Sequence, residues 1–170
     1  MQRRALLKVG AVTAAALGLL GGGAALLYKP AWEGGRLTEQ GRSVLVAVAK
    51  AVLDGSLPGD AGLQQAALSV HLARLAVMLN ALPAATQREV NQLLALLATS
   101  PGRLALAGLT TDWLQAGVEQ LQAAMQGMRE SRISVRRQVY HALRDLTHAA
   151  YFADRGTWSQ LGYPGPTAIA

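Results

Sequence analysis

The chain has 170 residues, a length typical of one domain with a modest core. It contains no cysteine, which excludes disulfides, thiolate metal sites, iron–sulfur clusters, covalently attached c-type haem and a cysteine nucleophile. Its net charge of +6 is uneven, because the first 29 residues hold four basic and no acidic side chains and the remainder holds 12 basic and 10 acidic ones. A nucleic-acid-binding domain usually carries a concentrated basic surface on its folded part. The charge distribution therefore argues against nucleic acid as a partner.

The leader, residues 1–29, predicts an export signal or a membrane anchor. A short basic start is followed by residues 9–27, which contain no charged side chain. The start resembles the twin-arginine signal, which a bacterial translocase reads on folded proteins. The residues that carry this resemblance are Arg3, Arg4, Leu6, Leu7 and Lys8. The alternative is an ordinary secretory signal or signal anchor that happens to contain two arginines.

The apolar part of the leader is long enough to cross a membrane. As a helix, residues 9–27 would span about 28 Å, close to the hydrocarbon core of a bilayer at roughly 30 Å. The nearest small-residue cleavage site is Gly22-Gly23-Ala24, so removal and retention as an inner-membrane anchor both stay open. In either case the basic end is expected in the cytoplasm and the domain in the periplasm.

Residues 30–37 are interpreted as a linker, because they contain Pro30, Gly34 and Gly35. Helical spacing of apolar residues begins after it. Thr38 is predicted to cap a first helix that ends at Asp54, and Asp60 is predicted to cap a second. The apolar positions expected to face the core from the second helix are Leu63, Ala67, Val70, Leu72, Leu75 and Leu79.

The remaining pattern is also helical. A third helix is predicted for residues 86–98, a short one for 103–107, a fourth long one for 112–128 capped by Thr111, and the longest for 134–153. Trp113 is assigned to the core. No strand-like alternation of useful length occurs. The sequence therefore predicts an all-α fold, a small bundle of four to five helices over residues 38–153, with an irregular aromatic tail over residues 154–170.

A search for chemistry finds little. His141 and His148 lie seven residues apart and would share a helix face, so with His71 they could form a metal or haem site. Isolated helical histidines are more often surface or packing residues, and that interpretation is favoured. No G-x-S-x-G nucleophile elbow occurs, and no G-x-G-x-x-G follows a strand. No catalytic, cofactor-binding or metal residue is assigned, and the chain alone is not expected to be an enzyme.

The last helix and the tail instead predict a protein-docking surface. Arginines are concentrated between residues 129 and 144, and aromatic residues follow them. Arginine and aromatic residues are enriched at protein interfaces, although a solvated helix face and a tail folded on its own helices remain the alternatives. The residues assigned to partner docking are Arg132, Arg136, Arg137, Tyr140, Tyr151, Trp158, Gly162, Tyr163, Pro164, Gly165 and Pro166.

These segments resemble a known family. The run RESRISVRRQVYHALRDLTHAAYFA followed by TWSQLGYPGP is similar to the C-terminal half of the gluconate 2-dehydrogenase subunit 3-like proteins. The similar part covers residues 113–166, and its most specific piece is W-x-x-L-G-Y-P-G-P. Members of that family are small helical chains with twin-arginine leaders that associate with flavin dehydrogenases of the glucose–methanol–choline type.

The resemblance implies a non-catalytic small subunit. It would escort a large, FAD-loaded alcohol or sugar dehydrogenase through the translocase to the periplasm, where a cytochrome subunit could accept the electrons. This chain would carry no cofactor itself. The alternatives are a free-standing, membrane-anchored periplasmic helical binding protein and, with less support, a metal or haem protein with histidine ligands.

Overall fold

Helices make up most of the computed structural model, which describes residues 29–163 and 165. The all-α prediction is confirmed for this part of the chain. The long helices are α1 (Glu39–Val52), α2 (Ala61–Asn80), α3 (Ala84–Ala98), α5 (Val118–Arg129) and α6 (Ser134–Phe152). A single turn, α4 (Ser100–Gly102), and a π-helical turn (Arg103–Ala107) lie between α3 and α5, and a 3-10 helix (Arg155–Leu161) follows α6.

A short β-hairpin lies in the residues interpreted as a linker. Strand β1 (Trp32–Glu33) pairs in antiparallel fashion with β2 (Arg36–Leu37). The turn consists of Gly34 and Gly35, whose φ angles are 55° and 79°. A two-residue hairpin turn favours positive φ at these positions, and glycine adopts it without a steric penalty. The glycine pair that suggested a linker therefore makes a hairpin turn.

The hairpin is fixed to the helices at its first residues. The side-chain oxygen of Asn91 in α3 accepts hydrogen bonds from the N–H groups of Ala31 and Trp32, both at 2.8 Å. Ala31 is fully buried, and its carbonyl oxygen accepts from the N–H of Thr38 at 3.0 Å. The chain therefore enters the helical domain along a defined path.

The predicted helix caps are confirmed at two places. Thr38 precedes α1 and its hydroxyl oxygen accepts from the N–H of Gly41 at 3.4 Å. Asp60 precedes α2 and its carboxylate accepts from the N–H of Leu63 at 2.9 Å. Both side chains satisfy a backbone donor that the first helical turn leaves unpaired.

Two predicted helix features need correction. The helix predicted for residues 112–128 begins only at Val118, because Asp112 forms an ion pair with Arg103 at 3.0 Å and Trp113 is drawn into the core. The indole nitrogen of Trp113 donates to the carbonyl oxygen of Leu97 at 2.7 Å, which confirms Trp113 as a core residue. The longest described helix is α2 with 20 residues, whereas α6 has 19.

The core forms around α1, which packs against α2, α3, α5 and α6. Helix α3 contributes a nearly continuous apolar run to it. The most completely buried of its large side chains include Leu45, Leu93, Leu94, Leu97, Leu121, Met128 and Leu143. These residues come from almost every long helix, so the helices share one principal core.

The apolar residues of α2 do not all face that core. Leu63 and Val70, which were expected inside, are 62% and 49% exposed. The buried side is formed by Leu68, His71, Leu72, Leu75 and Leu79. The prediction was wrong for Leu63 and Val70 because α2 is apolar on two opposite sides, so its spacing does not single out one face.

Within the described ranges, no helix is both long and apolar enough to span a membrane. The predicted anchor, residues 9–27, lies outside these ranges, as do Arg3, Arg4 and the rest of the predicted twin-arginine motif.

Candidate docking surfaces

The C-terminal aromatic residues form a cap on the end of α6, here called the aromatic cap and consisting of Tyr151, Phe152, Trp158 and Tyr163. The rings of Tyr151 and Phe152 meet edge to face with centroids 5.2 Å apart. The indole nitrogen of Trp158 donates to the carbonyl oxygen of Phe152 at 2.8 Å, and the Trp158 and Tyr163 rings lie 5.4 Å apart. The described part of the tail therefore folds back on its own helix.

A Schellman motif explains why the chain reverses at Gly162. Gly162 follows the 3-10 helix with φ of 66°, and the N–H of Tyr163 donates to the carbonyl oxygen of Trp158 at 3.1 Å. This is the 6→1 hydrogen bond of the motif, which often carries an apolar contact between the same two residues. The packing of Tyr163 on Trp158 supplies that contact. Local backbone chemistry therefore accounts for the W-S-Q-L-G-Y part of the segment.

The exposed member of the aromatic cap is Tyr163, with 48% of its surface accessible. Trp158 is half-buried, and the Arg155 guanidinium lies 5.8 Å from the centroid of its ring, in cation–π range. Gly165, at φ of 103°, passes so close that a β-carbon there would lie 3.7 Å from the same ring. Tyr163 is thus an aromatic side chain that is held in place and still accessible.

Tyr151, in contrast, belongs to the interior of the chain. It is 7% exposed, and its hydroxyl donates to the carbonyl oxygen of Ser56 at 2.9 Å. Its ring also lies 6.2 Å from that of His71. Sequence reasoning grouped Tyr151 with the docking aromatics, but its contacts join α6 to α2 and to the loop after α1.

An ion pair connects the segment after α6 to α2. The Arg74 guanidinium donates to the Asp154 carboxylate at 2.7 Å. A hydrogen bond from the N–H of Gly156, and then the Arg74 guanidinium, lower the pKa of Asp154 below its usual value. The pair therefore remains charged at neutral pH and holds the segment after α6 against α2.

The arginines predicted for docking lie at the opposite end of α6. Arg132 and Arg137 are exposed, and Arg137 donates to the carbonyl oxygen of Ser131 at 2.6 Å. Arg136 is half-buried and its Nε donates to the carbonyl oxygen of Leu106 at 2.8 Å. Arg136 therefore fastens α6 to the π-helical turn, whereas Arg132 and Arg137 face solvent.

The structure does not bring the arginines and the aromatic residues into one patch. Fifteen residues separate Arg137 from Phe152, which corresponds to about 22 Å along a helix. Tyr140 lies between them, half-buried against the core. Sequence reasoning had selected side chains from both ends of one helix. Two further selected residues, Pro164 and Pro166, lie outside the described residues.

The three histidines occupy separate environments. His71 is buried, His148 packs on Phe152 with centroids 5.6 Å apart, and His141 packs on Tyr140 at 5.2 Å. Among the described residues, no group of three or more His, Cys, Asp or Glu side chains is arranged to hold a metal ion.

His71 is the most unusual of the three. It is 1% exposed, and neither ring nitrogen has a hydrogen-bond partner among the described residues. Burial, with a smaller contribution from the Arg74 charge, lowers the pKa of His71 to about 4. The imidazole is therefore neutral at pH 7 and behaves as a packing residue.

Sequence reasoning missed an apolar surface on α2. Leu63, Val70 and Val77 are 62%, 49% and 71% exposed, and the exposed residues Ala66 and Ala73 lie between them. We call these five residues the α2 stripe. The available signal was the composition of α2, which contains one charged residue in 20 and is apolar on two opposite sides.

Comparison with known proteins supplies no relative. No family model, no curated protein and no solved structure matches this chain.

Proposed function

We propose that this chain is an exported, non-catalytic small subunit that escorts an FAD-dependent alcohol or sugar dehydrogenase. It would hold that enzyme at the periplasmic face of the inner membrane if the leader is retained. FAD belongs to the large partner in this proposal, and a cytochrome subunit could accept its electrons. A twin-arginine leader suits such a cargo, because a buried flavin must be inserted before the enzyme crosses the membrane.

The observation that carries the proposal is the segment of residues 113–166. Its arginine-rich helix followed by W-x-x-L-G-Y-P-G-P resembles the gluconate 2-dehydrogenase subunit 3-like proteins. The geometry of the aromatic cap is compatible with a docking role. Tyr163 is ordered by its contacts with Trp158 and yet half-exposed. A side chain that is already ordered loses little rotamer freedom on binding, which favours affinity.

The exposed arginines supply a second, weaker element of the proposal. Arg132 and Arg137 lie at the N-terminal end of α6 and face solvent. Exposed charges of this kind mainly accelerate association with an oppositely charged surface. Arg136 has a structural role within the chain, since its guanidinium donates a hydrogen bond to the π-helical turn.

Tyr163→Ala tests the docking role of the cap. Loss of a central interface aromatic typically costs about 2 kcal/mol, roughly thirtyfold in affinity. We expect the dehydrogenase to dissociate from the variant while the circular dichroism spectrum and melting temperature stay unchanged. The measurement is co-purification of the large chain with the tagged full-length protein.

Leu114→Ala is the matched control, because Leu114 is an apolar residue of similar exposure, 55%, on the loop before α5. It should retain the dehydrogenase. Trp158→Ala is less informative, since Trp158 also holds the carbonyl group of Phe152. If Tyr163→Ala retains the dehydrogenase fully, or if it unfolds the domain, the cap serves the chain's own fold and not a partner.

The alternative function is a free-standing, membrane-anchored periplasmic binding protein. The observation that favours it is the exposed α2 stripe, which offers an apolar surface unrelated to the C-terminal segment. This alternative predicts that the chain purifies from membranes without a large partner.

A further inference from the structure

The outer side of α2 has the spacing of a coiled-coil seam. Leu63, Ala66, Val70, Ala73 and Val77 follow each other at intervals of three and four residues, which are the a and d positions of a heptad repeat. All five are exposed. The core-facing side of the same helix carries a separate apolar set, Leu68, His71, Leu72, Leu75 and Leu79.

The spacing of the α2 stripe is typical of a surface that packs against another helix. A seam made only of a and d positions is narrower than the apolar face by which a helix packs on a protein core. Binding to a flat bilayer surface would not require such a narrow seam. The positions beside the seam are mostly small, with Gly62, Ala67, Ser69 and Ala76 next to Arg74. A second helix could therefore approach α2 to about 8 Å, the close end of the usual range.

We propose that the α2 stripe is the interface of an antiparallel homodimer. In an antiparallel pair, the a positions of one helix face the d positions of the other, so Val70 and one of its two large neighbours in the stripe, Leu63 or Val77, can each face an alanine of the second copy. Alternation of large and small residues across facing positions fills a helix interface evenly. A parallel pair would instead set Ala66 against Ala66 and leave gaps. A two-fold interface requires a surface complementary to itself, and the alternation of the α2 stripe meets that requirement.

The charges of α2 permit the same pairing. Its one charged residue, Arg74, lies beside the seam and is neutralised within the chain by Asp154 at 2.7 Å. Two copies of the helix would therefore meet without uncompensated like charges. A strongly charged partner helix, by comparison, would find no complementary group on the seam.

Within the described residues, four other large apolar side chains are exposed. They lie outside the long helices, and they are Leu104, Leu114, Ile133 and Tyr163. Among the described helices, only α2 carries such an exposed seam, so the helix that can complement the α2 stripe is a second α2. The dimer goes beyond the proposed escort function and does not depend on it.

Cross-linking of the full-length protein tests the geometry, because the natural chain contains no cysteine. Val70→Cys lies at the middle of the stripe, near the two-fold axis. A bis-maleimide reagent with a span of about 10 Å, similar to the separation of packed helix axes, should link it into a species of twice 17.8 kDa. Leu63→Cys would lie about 20 Å from its copy in an antiparallel pair and should link poorly. Leu114→Cys, exposed but off α2, should not link.

Light scattering of the purified full-length protein tests the association itself. The natural chain should show the dimer mass, Val70→Glu should show the monomer mass of 17.8 kDa, and Leu114→Glu should remain dimeric. Circular dichroism checks that each variant is folded, and the cross-linking result stands even if Val70→Glu does not fold.

Four results would overturn the proposal. The natural chain could be monomeric, or Val70→Cys could link only to a different protein. Val70→Glu could remain a folded dimer, which would assign the association to another segment such as the leader. Equal linking of Leu63→Cys and Val70→Cys would show that the pair is parallel.

Discussion

His71 is the buried residue whose polar atoms are least well satisfied. Both ring nitrogens lack a partner among the described residues, although the side chain is 1% exposed. An unsatisfied buried polar group costs about 1–3 kcal/mol, whereas an apolar residue of similar size at the same place carries no such cost. His71→Leu should therefore raise the free energy of unfolding by about 1 kcal/mol.

Urea unfolding followed by circular dichroism measures this effect. His141→Leu is the control, because His141 is exposed and its replacement should change stability by less than about 0.5 kcal/mol. A loss of stability in His71→Leu would mean that the imidazole binds something in the native protein.

The same residue predicts a pH dependence. The pKa of His71 is lowered to about 4 in the folded chain, against an ordinary value of 6.5. Between these values the unfolded chain binds a proton at His71 and the folded chain does not. Proton binding to His71 in the unfolded chain therefore has no effect on stability above pH 6.5 and lowers the free energy of unfolding as the pH falls towards 4, by about 3 kcal/mol in total.

Unfolding of the natural chain and of His71→Leu at several pH values isolates this contribution. Carboxyl groups titrate in the same range, but they are common to both proteins. The stability difference between the two should grow in favour of His71→Leu as the pH falls from 6.5 to 4. A difference that is independent of pH would contradict the lowered pKa.

At the scale of elements, Gly41 fixes the distance between the hairpin and α1. A β-carbon at Gly41 would collide with the carbonyl oxygen of Ala31, a backbone atom that cannot rotate away. Gly41→Ala should therefore lower the free energy of unfolding by about 2 kcal/mol, as overpacking of a filled interior does. Gly59→Ala is the matched control, since a β-carbon at Gly59 would have no other atom within 4 Å. Equal stability of the two variants would show that the hairpin does not pack on α1 in this way.

Local sequence signals were sufficient to predict some elements of the fold and insufficient to predict others. The caps at Thr38 and Asp60 could be predicted because an N-cap bond depends only on the next three residues. The start of α5 could not be predicted, because Asp112 makes its ion pair with Arg103, nine residues earlier. The hairpin was missed because its strands contain two residues each, too few for any alternation to be read.

The sequence singled out the residues of the aromatic cap but did not show how they are arranged. The sequence identified Trp158, Gly162 and Tyr163, but their contacts depend on the backbone reversal at Gly162. Adjacent residues also have different roles, since Arg136 donates a hydrogen bond to the carbonyl oxygen of Leu106 and Arg137 faces solvent. The α2 stripe went unrecognised because the helix has two apolar sides, and only the packing of the other helices decides which side is inside.

For the whole molecule, the leader predicts the export route. The double change Arg3→Lys and Arg4→Lys keeps the charge and removes the paired guanidinium groups that the twin-arginine translocase would read. We expect the variant to remain in the cytoplasm, together with the dehydrogenase if that partner has no export signal of its own. Cell fractionation measures the outcome, with Lys8→Arg as a control that should be exported. Export of the double variant would assign the leader to the general secretory route.

The escort proposal is tested most directly by the absorbance spectrum of what accompanies the native chain. The full-length protein would be purified from membranes in mild detergent, and the co-purifying chains separated and their spectra recorded. The account predicts a large second chain with the spectrum of an oxidised flavin. Recovery of this chain alone, or a haem Soret band or a bound metal on the isolated chain, would contradict it.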